Sequence, residues 1–414
     1  MHNEISKQLI EFIEKSPTCF HAVQTMSDLL IEEGFTELKE NEKWKLEKGG
    51  KYFVTRNGSS LIAFTIPEQE MKGMRIMASH SDSPSFKIKE NPEMEAEGHY
   101  IKLNVEKYGG MLCAPWFDRP LSIAGRVIVR DPETGTLRTV LVNVDRDLVM
   151  IPNLAIHMNR EVNDGYKYNA QKDMLPLYGD ITAKDSFMKT IADAAGAAPD
   201  DILGHDLFLY NRQKASIWGA SEEFLSSARL DDLQCAFSSL KGFLAGEKKE
   251  YMAVHCVLDN EEVGSGTKQG AASTFLYDTL TRAHDSLGLS REDYLIHLAD
   301  SFMVSADNAH AVHPNYPEKM DPVNRTYLNG GIVLKFNANQ KYCTDGVSAA
   351  MFRDICQKAG VPVQTFTNRS DMMGGSTLGN ISNTQVALNT ADIGLAQLAM
   401  HSPYESVGVK DTEY

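Results

Sequence analysis

The stretch "LDNEEVGS", residues 258–265, sets two carboxylates side by side, Glu261 and Glu262, directly after an apolar run and directly before a small-residue turn. Neighbouring residues at a strand end point in different directions, so the two acids cannot do the same job. If the strand end is buried they also repel each other, unless a cation or a shared proton lies between them. Four other places bring imidazoles or carboxylates to the end of an apolar run. "MRIMASHSDSP" ends in His80 and Asp82, "SARLDDLQ" leads into a helix with Asp231 and Asp232, "FMVSADNAHAVHP" carries Asp307, His310 and His313, and "GLAQLAMHSP" ends in His401. Nitrogen and oxygen donors in this mixture suit zinc, manganese or cobalt, and there are enough of them for two ions. If Glu262 ligates a metal, Glu261 stands one residue before it, within reach of an attacking water and not spent as a ligand. That is the position of a general base.

Each piece has a plainer reading when taken alone. His80 and Asp82 fit a capped turn, Asp231 and Asp232 fit a helix N-cap and a first-turn acid, and His401 fits a satisfied core histidine. The joint pattern outweighs these, because open α/β sheets collect their functional groups at the carboxyl ends of strands.

The surrounding elements supply such a sheet. Apolar residues at helical spacing (Ile5, Leu9, Ile10, Phe12, Ile13) predict a helix over residues 4–14, and a second helix begins with Ser16 as cap and Pro17 at its first position, closed by Gly34. From about residue 52 the pattern turns to short β-rich runs, "KYFVTR", "SLIAFTI" and "MRIMASH". Residues 91–225 read as short strands, "HYIKLNVE", "IAGRVIVR" and "TLRTVLVNV", with turn signals such as "DPETG" and a looser acidic segment: an all-β insertion. From 226 helices and strands alternate to the end of the chain. Residues 1–90 and 226–414 therefore predict an α/β domain with a mostly parallel sheet flanked by helices, interrupted by the β-rich insertion at 91–225.

Composition narrows the class. A chain of 414 residues with 56 acidic and 41 basic side chains, net charge −15, lacks the basic footprint of a nucleic-acid binder. Six scattered cysteines without a C-x-x-C pair argue for reduced thiols and a cytoplasmic location. No stretch reaches the ~18 apolar residues of a membrane span, and the charged N-terminus does not resemble a signal peptide.

The order of the motifs "SPTCFHAV", "SHSDSPSFKIK", "IPNLAIHMNR", "ARLDDLQCAF", "DNEEVGS", "SADNAHAVHPNYP", "GGSTLGNI" and "LAMHSPYESVG" resembles the M18 family of metallo-aminopeptidases, which includes the aspartyl aminopeptidases. The resemblance runs through nearly the whole chain. It implies a metallo-exopeptidase fold with an inserted dimerisation domain, and removal of the N-terminal residue from peptides. It further implies that His80, Asp231, Glu262, Asp307 and His401 bind two divalent ions, zinc first and cobalt or manganese as alternatives, with Asp231 bridging. Asp82 is then the carboxylate that orients the His80 imidazole, and Glu261 the base. His157 corresponds to a histidine that reaches a neighbouring subunit's site from the inserted domain, in a tetrahedral dodecamer built from dimers.

A preference for acidic first residues needs a cation in the pocket, and Lys335 or His310 would supply it. The plainer readings are a strand lysine reaching solvent and a histidine capping a loop. Gly375 and Ser376, in "MMGGSTLG", would present backbone donors to substrate, and Met372 and Met373 beside them would make the pocket more apolar. Relatives usually continue beyond "VKDTEY" into a closing helix, so a truncated C-terminus is expected. A deacylase on a similar scaffold would need an arginine near its metal motifs, which the sequence does not offer, and a scaffold protein would have lost ligands or the base.

Overall fold

The structure is a computed structural model that describes residues 2–247 and 249–414. Two compact units emerge. The first comprises the chain up to Asp82, residues 215–400 and residues 405–414, and the second comprises residues 83–214 with 401–404.

Among the described residues, the first unit carries a nine-stranded sheet. Its order is Thr36–Leu38, Lys51–Arg56, Ser60–Thr65, Tyr251–Leu258, Gly73–His80, Phe302–Ala306, Asn389–Gly394, Ile332–Phe336, Val363–Thr367. The four neighbouring strands from Tyr251–Leu258 to Asn389–Gly394 run parallel, and antiparallel pairings lie to either side. The mostly parallel sheet read from the alternation is therefore present.

Period-two patterning divides the core between the faces of this sheet. On the wholly buried Ser60–Thr65 strand, Leu61 and Ala63 pack with helices His2–Glu14, Cys19–Glu32 and Leu230–Ala245, whereas Ile62 and Phe64 pack with helix Phe275–Ser286. A strand covered on both sides reads as a continuous apolar run, which is how "SLIAFTI" looks. A smaller five-stranded sheet in the same unit joins Ser216–Trp218, Phe224–Ser227, Glu405–Gly408, Ala396–Leu398 and Ala309–His310. The apolar segment "TADIGLAQLAM" thus serves two sheets, with Gly394 ending one strand and Ala396 starting the next.

The second unit is built on a six-stranded sheet, in the order Leu137–Asn143, Leu121–Arg130, Ile202–Asn211, Ser85–Ala96, Tyr100–Tyr108, Leu177–Asp180. It is not all-β: helix Phe187–Ala195 lays Phe187 and Ile191 into its core, and a single turn, Ala170–Asp173, precedes it. The unit boundaries fall at 82/83 and 214/215, away from the 90/91 and 225/226 read from the change in strand and helix patterning. A cut at 90 would split the continuous strand Ser85–Ala96, and one at 225 would divide Phe224–Ser227, which pairs with Glu405–Gly408 of the first unit.

Other local expectations shift as well. The second helix starts at Cys19 with Thr18 in the cap position, two residues beyond Ser16. Helix Arg291–Ala299, absent from the sequence reading, is announced by a capping box between Ser290 and Asp293. All six cysteines are free thiols, and among the described residues no helix is long and apolar enough to cross a membrane.

Candidate metal centre

Three parallel neighbours set the site. His80 is the last residue of Gly73–His80 and stands opposite Leu258, the last residue of Tyr251–Leu258. Asp307 follows directly on Phe302–Ala306, whose Ser305 pairs with Ala78. Parallel register therefore delivers His80, the glutamate pair and Asp307 to one edge, as the carboxyl-end rule requires.

Asp231 and Asp232 meet them from the start of helix Leu230–Ala245. Both have non-helical backbone angles, and the peptide between them is cis. Neither acts as the ordinary cap or first-turn acid of the plain reading. Asp231 N donates to Glu405 Oε2 at 3.0 Å, and Asp232 Oδ2 accepts from His80 N at 3.1 Å.

The resulting cluster is tight. His80 Nε2 lies 3.4 Å from Asp231 Oδ1, 4.0 Å from Asp232 Oδ2 and 4.0 Å from Asp307 Oδ1. One donor atom from each of His80, Asp231, Asp232 and Asp307 falls within 4.8 Å of the others, and the same holds for His80, Glu261 and Glu262. His80, Asp231, Asp232 and Asp307 are all buried.

Asp82 organises two neighbours at once. Its backbone oxygen lies 3.1 Å from His80 Nδ1 and its Oδ1 3.4 Å from the same nitrogen, which fixes the ring with Nε2 toward the carboxylates. The Asp82 carboxylate also accepts from Glu261 N at 3.1 Å and Glu262 N at 3.2 Å. One acid thereby sets both the imidazole and the turn that bears the glutamates. That turn, the 3-10 stretch Glu261–Val263, is entered through Asn260 at φ 62° and left through Gly264 at φ 94°.

The electrostatics call for a cation. Burial, then the surrounding acids, push the Glu261 carboxyl up to about 8. Burial and like-charged neighbours also raise Glu262, Asp232 and Asp307. His80 is raised well above an ordinary histidine: burial opposes its charge, but Asp232, Asp231 and Asp82 outweigh burial. A group of buried acids that draws protons so strongly is the environment a divalent ion replaces. The donor set of imidazole and carboxylates fits zinc, and His80 would then ligate as the neutral ring through Nε2.

Lys335 is neither solvent-reaching nor loose. It is 3% exposed, donates from Nζ to Asn308 O at 3.0 Å, and sits 3.9 Å from Asp307 Oδ1. Burial works against its charge, yet Asp307, Tyr342 and Asp392 hold it above the usual lysine value. His310 is exposed, with its ring edge-on to Phe366 at 6.0 Å. Gly375 is exposed and open around its Cα, whereas the Ser376 hydroxyl donates to Asn380 Oδ1 at 2.9 Å. Met372 and Met373 are exposed, Met373 completely.

In the second unit, His157 is exposed on the short 3-10 helix Ile156–Met158. His401 stands at φ 67° in the turn after Ala396–Leu398, and its carbonyl accepts from Leu112 N at 3.2 Å.

Sequence reasoning did not assign Asp232 or Asn308 to the site. The Asn308 amide donates to Leu230 O at 3.2 Å and Gln234 Oε1 at 3.1 Å, which ties the Asp307 turn to the Asp231 helix. Position next to a candidate ligand was the available signal, in "LDD" and "ADN" alike.

Comparison with known proteins identifies the family. The family model of aminopeptidase I zinc metalloproteases, M18, matches residues 12–414. A probable M18 family aminopeptidase 2 of Clostridium acetobutylicum is 50% identical over 417 residues, covering 99% of this chain and 96% of its own. One of Clostridium novyi is 48% identical over 422 residues, covering 100% and 98%. The solved S. cerevisiae mApe1 dodecamer superposes with a TM-score of 0.87 at 28% identity, covering 99% of this chain and 94% of its own. With its helix-flanked mixed sheet and acid-rich strand ends, the chain belongs to the M18 family of zinc aminopeptidases and is a hydrolase of peptide bonds.

Proposed function

We propose that His80, Asp231, Glu262, Asp307 and His401 would hold two divalent ions in this aminopeptidase, and that Glu261 is its general base. The observation that carries the reading is the crowding of acids around His80, with buried Asp231, Asp232 and Asp307 in one donor group and half-buried Glu261 and Glu262 in the other. When bound, zinc would supply Lewis-acid polarisation of the scissile carbonyl and a lowered pKa of the attacking water.

The protein's own groups supply the remaining steps. Glu261, held by Asp82 through its backbone and pushed toward neutral pH by burial, takes the proton from water and passes it to the leaving amine. Lys335 offsets the charge of Asp307, and a buried ammonium facing an acidic substrate side chain would favour Asp or Glu as first residue. His310 at the rim and the backbone of Gly375 and Ser376 would hold the substrate. The inserted unit serves dimerisation, the exposed His157 completes a neighbour's site, and the chain assembles as a tetrahedral dodecamer in the cytoplasm. The dodecameric state of the yeast mApe1 structure supports the assembly.

The test is Glu261→Gln. Turnover of aminoacyl chromogenic substrates should fall by at least about 10²-fold, in the range of a lost general base, while metal content stays near that of the parent. Loss of metal together with activity would make Glu261 a ligand. Running acidic, basic and apolar first residues on the parent enzyme checks the preference, and equal rates for all three would remove it.

A further inference from the structure

The glutamate turn is held from behind by a loop, residues 265–272, to which the proposed chemistry gives no part. Gln269 is buried, and its Nε2 donates to Asn260 Oδ1 at 2.8 Å and to Asp259 Oδ2 at 3.3 Å. Thr267 Oγ1 donates to the same Asn260 Oδ1 at 2.8 Å. Ser60, fully buried, joins the two segments: its hydroxyl donates to Gln269 O at 2.8 Å and accepts from Asp259 N at 2.9 Å. The backbones also meet, since Ser265 N donates to Asn260 O at 2.7 Å and a Cβ on Gly270 would run into the Ser265 carbonyl. Only glycine permits that approach.

These contacts converge on Asn260, a non-glycine residue in the left-handed region at φ 62°. Such a backbone is disfavoured for a side-chain-bearing residue and persists only where its surroundings impose it. Here two side-chain donors grip one amide oxygen. The residue they fix sits directly before Glu261, while Asp82 takes the Glu261 and Glu262 N–H groups from the front.

We infer that Gln269 is a positioning residue for Glu261 and Glu262: by clamping Asn260 together with Thr267, it sets the aim of the base and of the neighbouring ligand. The inference rests on the roles proposed above for the two glutamates. Its chemical weight follows from geometry, because misplacing a catalytic group by about 1 Å costs on the order of 10²-fold in rate.

The test uses the full-length, zinc-loaded enzyme with Gln269→Leu, which keeps volume and removes the amide, Thr267→Val, and the double variant. Gln269→Leu should lower kcat by roughly 10- to 100-fold and leave KM within about twofold, because the base acts in the transition state and not in substrate binding. The combined loss should fall short of the product of the single losses, since both donors act on one acceptor and removing the first already loosens it. In metal-stripped protein, amides 260–265 should exchange faster in Gln269→Leu while those of strand 251–258 stay protected. Unchanged kcat at full metal loading, or unchanged exchange at 260–265, would overturn the inference. So would loss of protection over the strand as well, which marks a general packing role. If Gln269→Leu does not fold, Thr267→Val on its exposed side of the clamp carries the same test with a smaller loss. Failure of the base reading is separate: a Glu261→Gln enzyme that keeps its turnover removes that role and leaves the exchange result standing.

Discussion

The identity of a side chain decides its chemistry only once its surroundings are known, and strand Tyr251–Leu258 with the turn that follows it shows both outcomes within ten residues. Glu261 sits among acids that, together with its burial, raise its carboxyl above the ordinary glutamate value and so make it a stronger base than a solvated glutamate. His255, six residues earlier, is buried with no hydrogen-bond partner for either ring nitrogen among the described residues and stacks on Phe243 at 5.9 Å. Burial lowers its pKa from 6.5 to about 3. Between those values the unfolded chain binds a proton that the folded chain refuses, so stability is full above about 6.5 and drains as pH falls toward 3. His255→Leu should remove that term, worth ~2 kcal/mol at pH 5. Its acid-unfolding midpoint should move to lower pH with the thermal midpoint near pH 7.5 little changed; superimposable acid titrations of parent and variant would refute this.

At the scale of elements, the site depends on close backbone approach between strand ends. Strand Asn389–Gly394 finishes where Gly394 meets the Asp307 carbonyl, and a Cβ there would collide with that oxygen and lie 3.0 Å from Lys335 Cε. Gly394→Ala should therefore push Asp307 off its position, at a cost of ~1–3 kcal/mol in stability. Zinc affinity, read by chelator competition, should fall by roughly 10- to 100-fold, the range found when groups supporting a ligand are disturbed. Parent-like zinc affinity would show that the Asp307 turn adapts. The helices obey simpler rules. Helix Gly346–Ala359 begins in a capping box between Asp345 and Ser348 and ends at Gly360 with φ 70°, both signals readable in "DGVSAAMFRDICQKAG".

At the scale of the whole molecule, the inserted unit exposes apolar side chains beside His157: Leu154 at 56%, Ile156 at 47% and Met158 at 76%. An exposed apolar loop of this kind marks an interaction surface, and the proposed assembly gives it a neighbouring subunit to cover it. Met158→Asp should shift the enzyme toward smaller species in sedimentation, and activity should fall with it. His157→Ala should lower turnover while leaving size and metal content intact. Full activity in a dissociated Met158→Asp enzyme would mean that each subunit is complete alone.

How much of this was legible in the sequence varied with range along the chain. The amino-acid sequence alone determined the donor types, their order and the apolar runs that end in them, because periodicity, caps and turn residues are local properties of consecutive residues. It therefore sufficed for the α/β class, the family resemblance, and the nomination of His80, Asp82, Asp231, Glu261, Glu262, Asp307 and His401. Tertiary structure alone decided that Asp232 belongs beside His80, that Lys335 is buried against Asp307, that Gln269 grips Asn260, and that the units divide at 82/83 and 214/215. Each of these joins residues or strands that chain order leaves unrelated, such as His80 with Asp232, 152 positions apart. Such meetings depend on strand order, register and burial, and so does the charge state of every acid in the site, since repulsion between carboxylates has no magnitude until their distances and their exclusion from water are set.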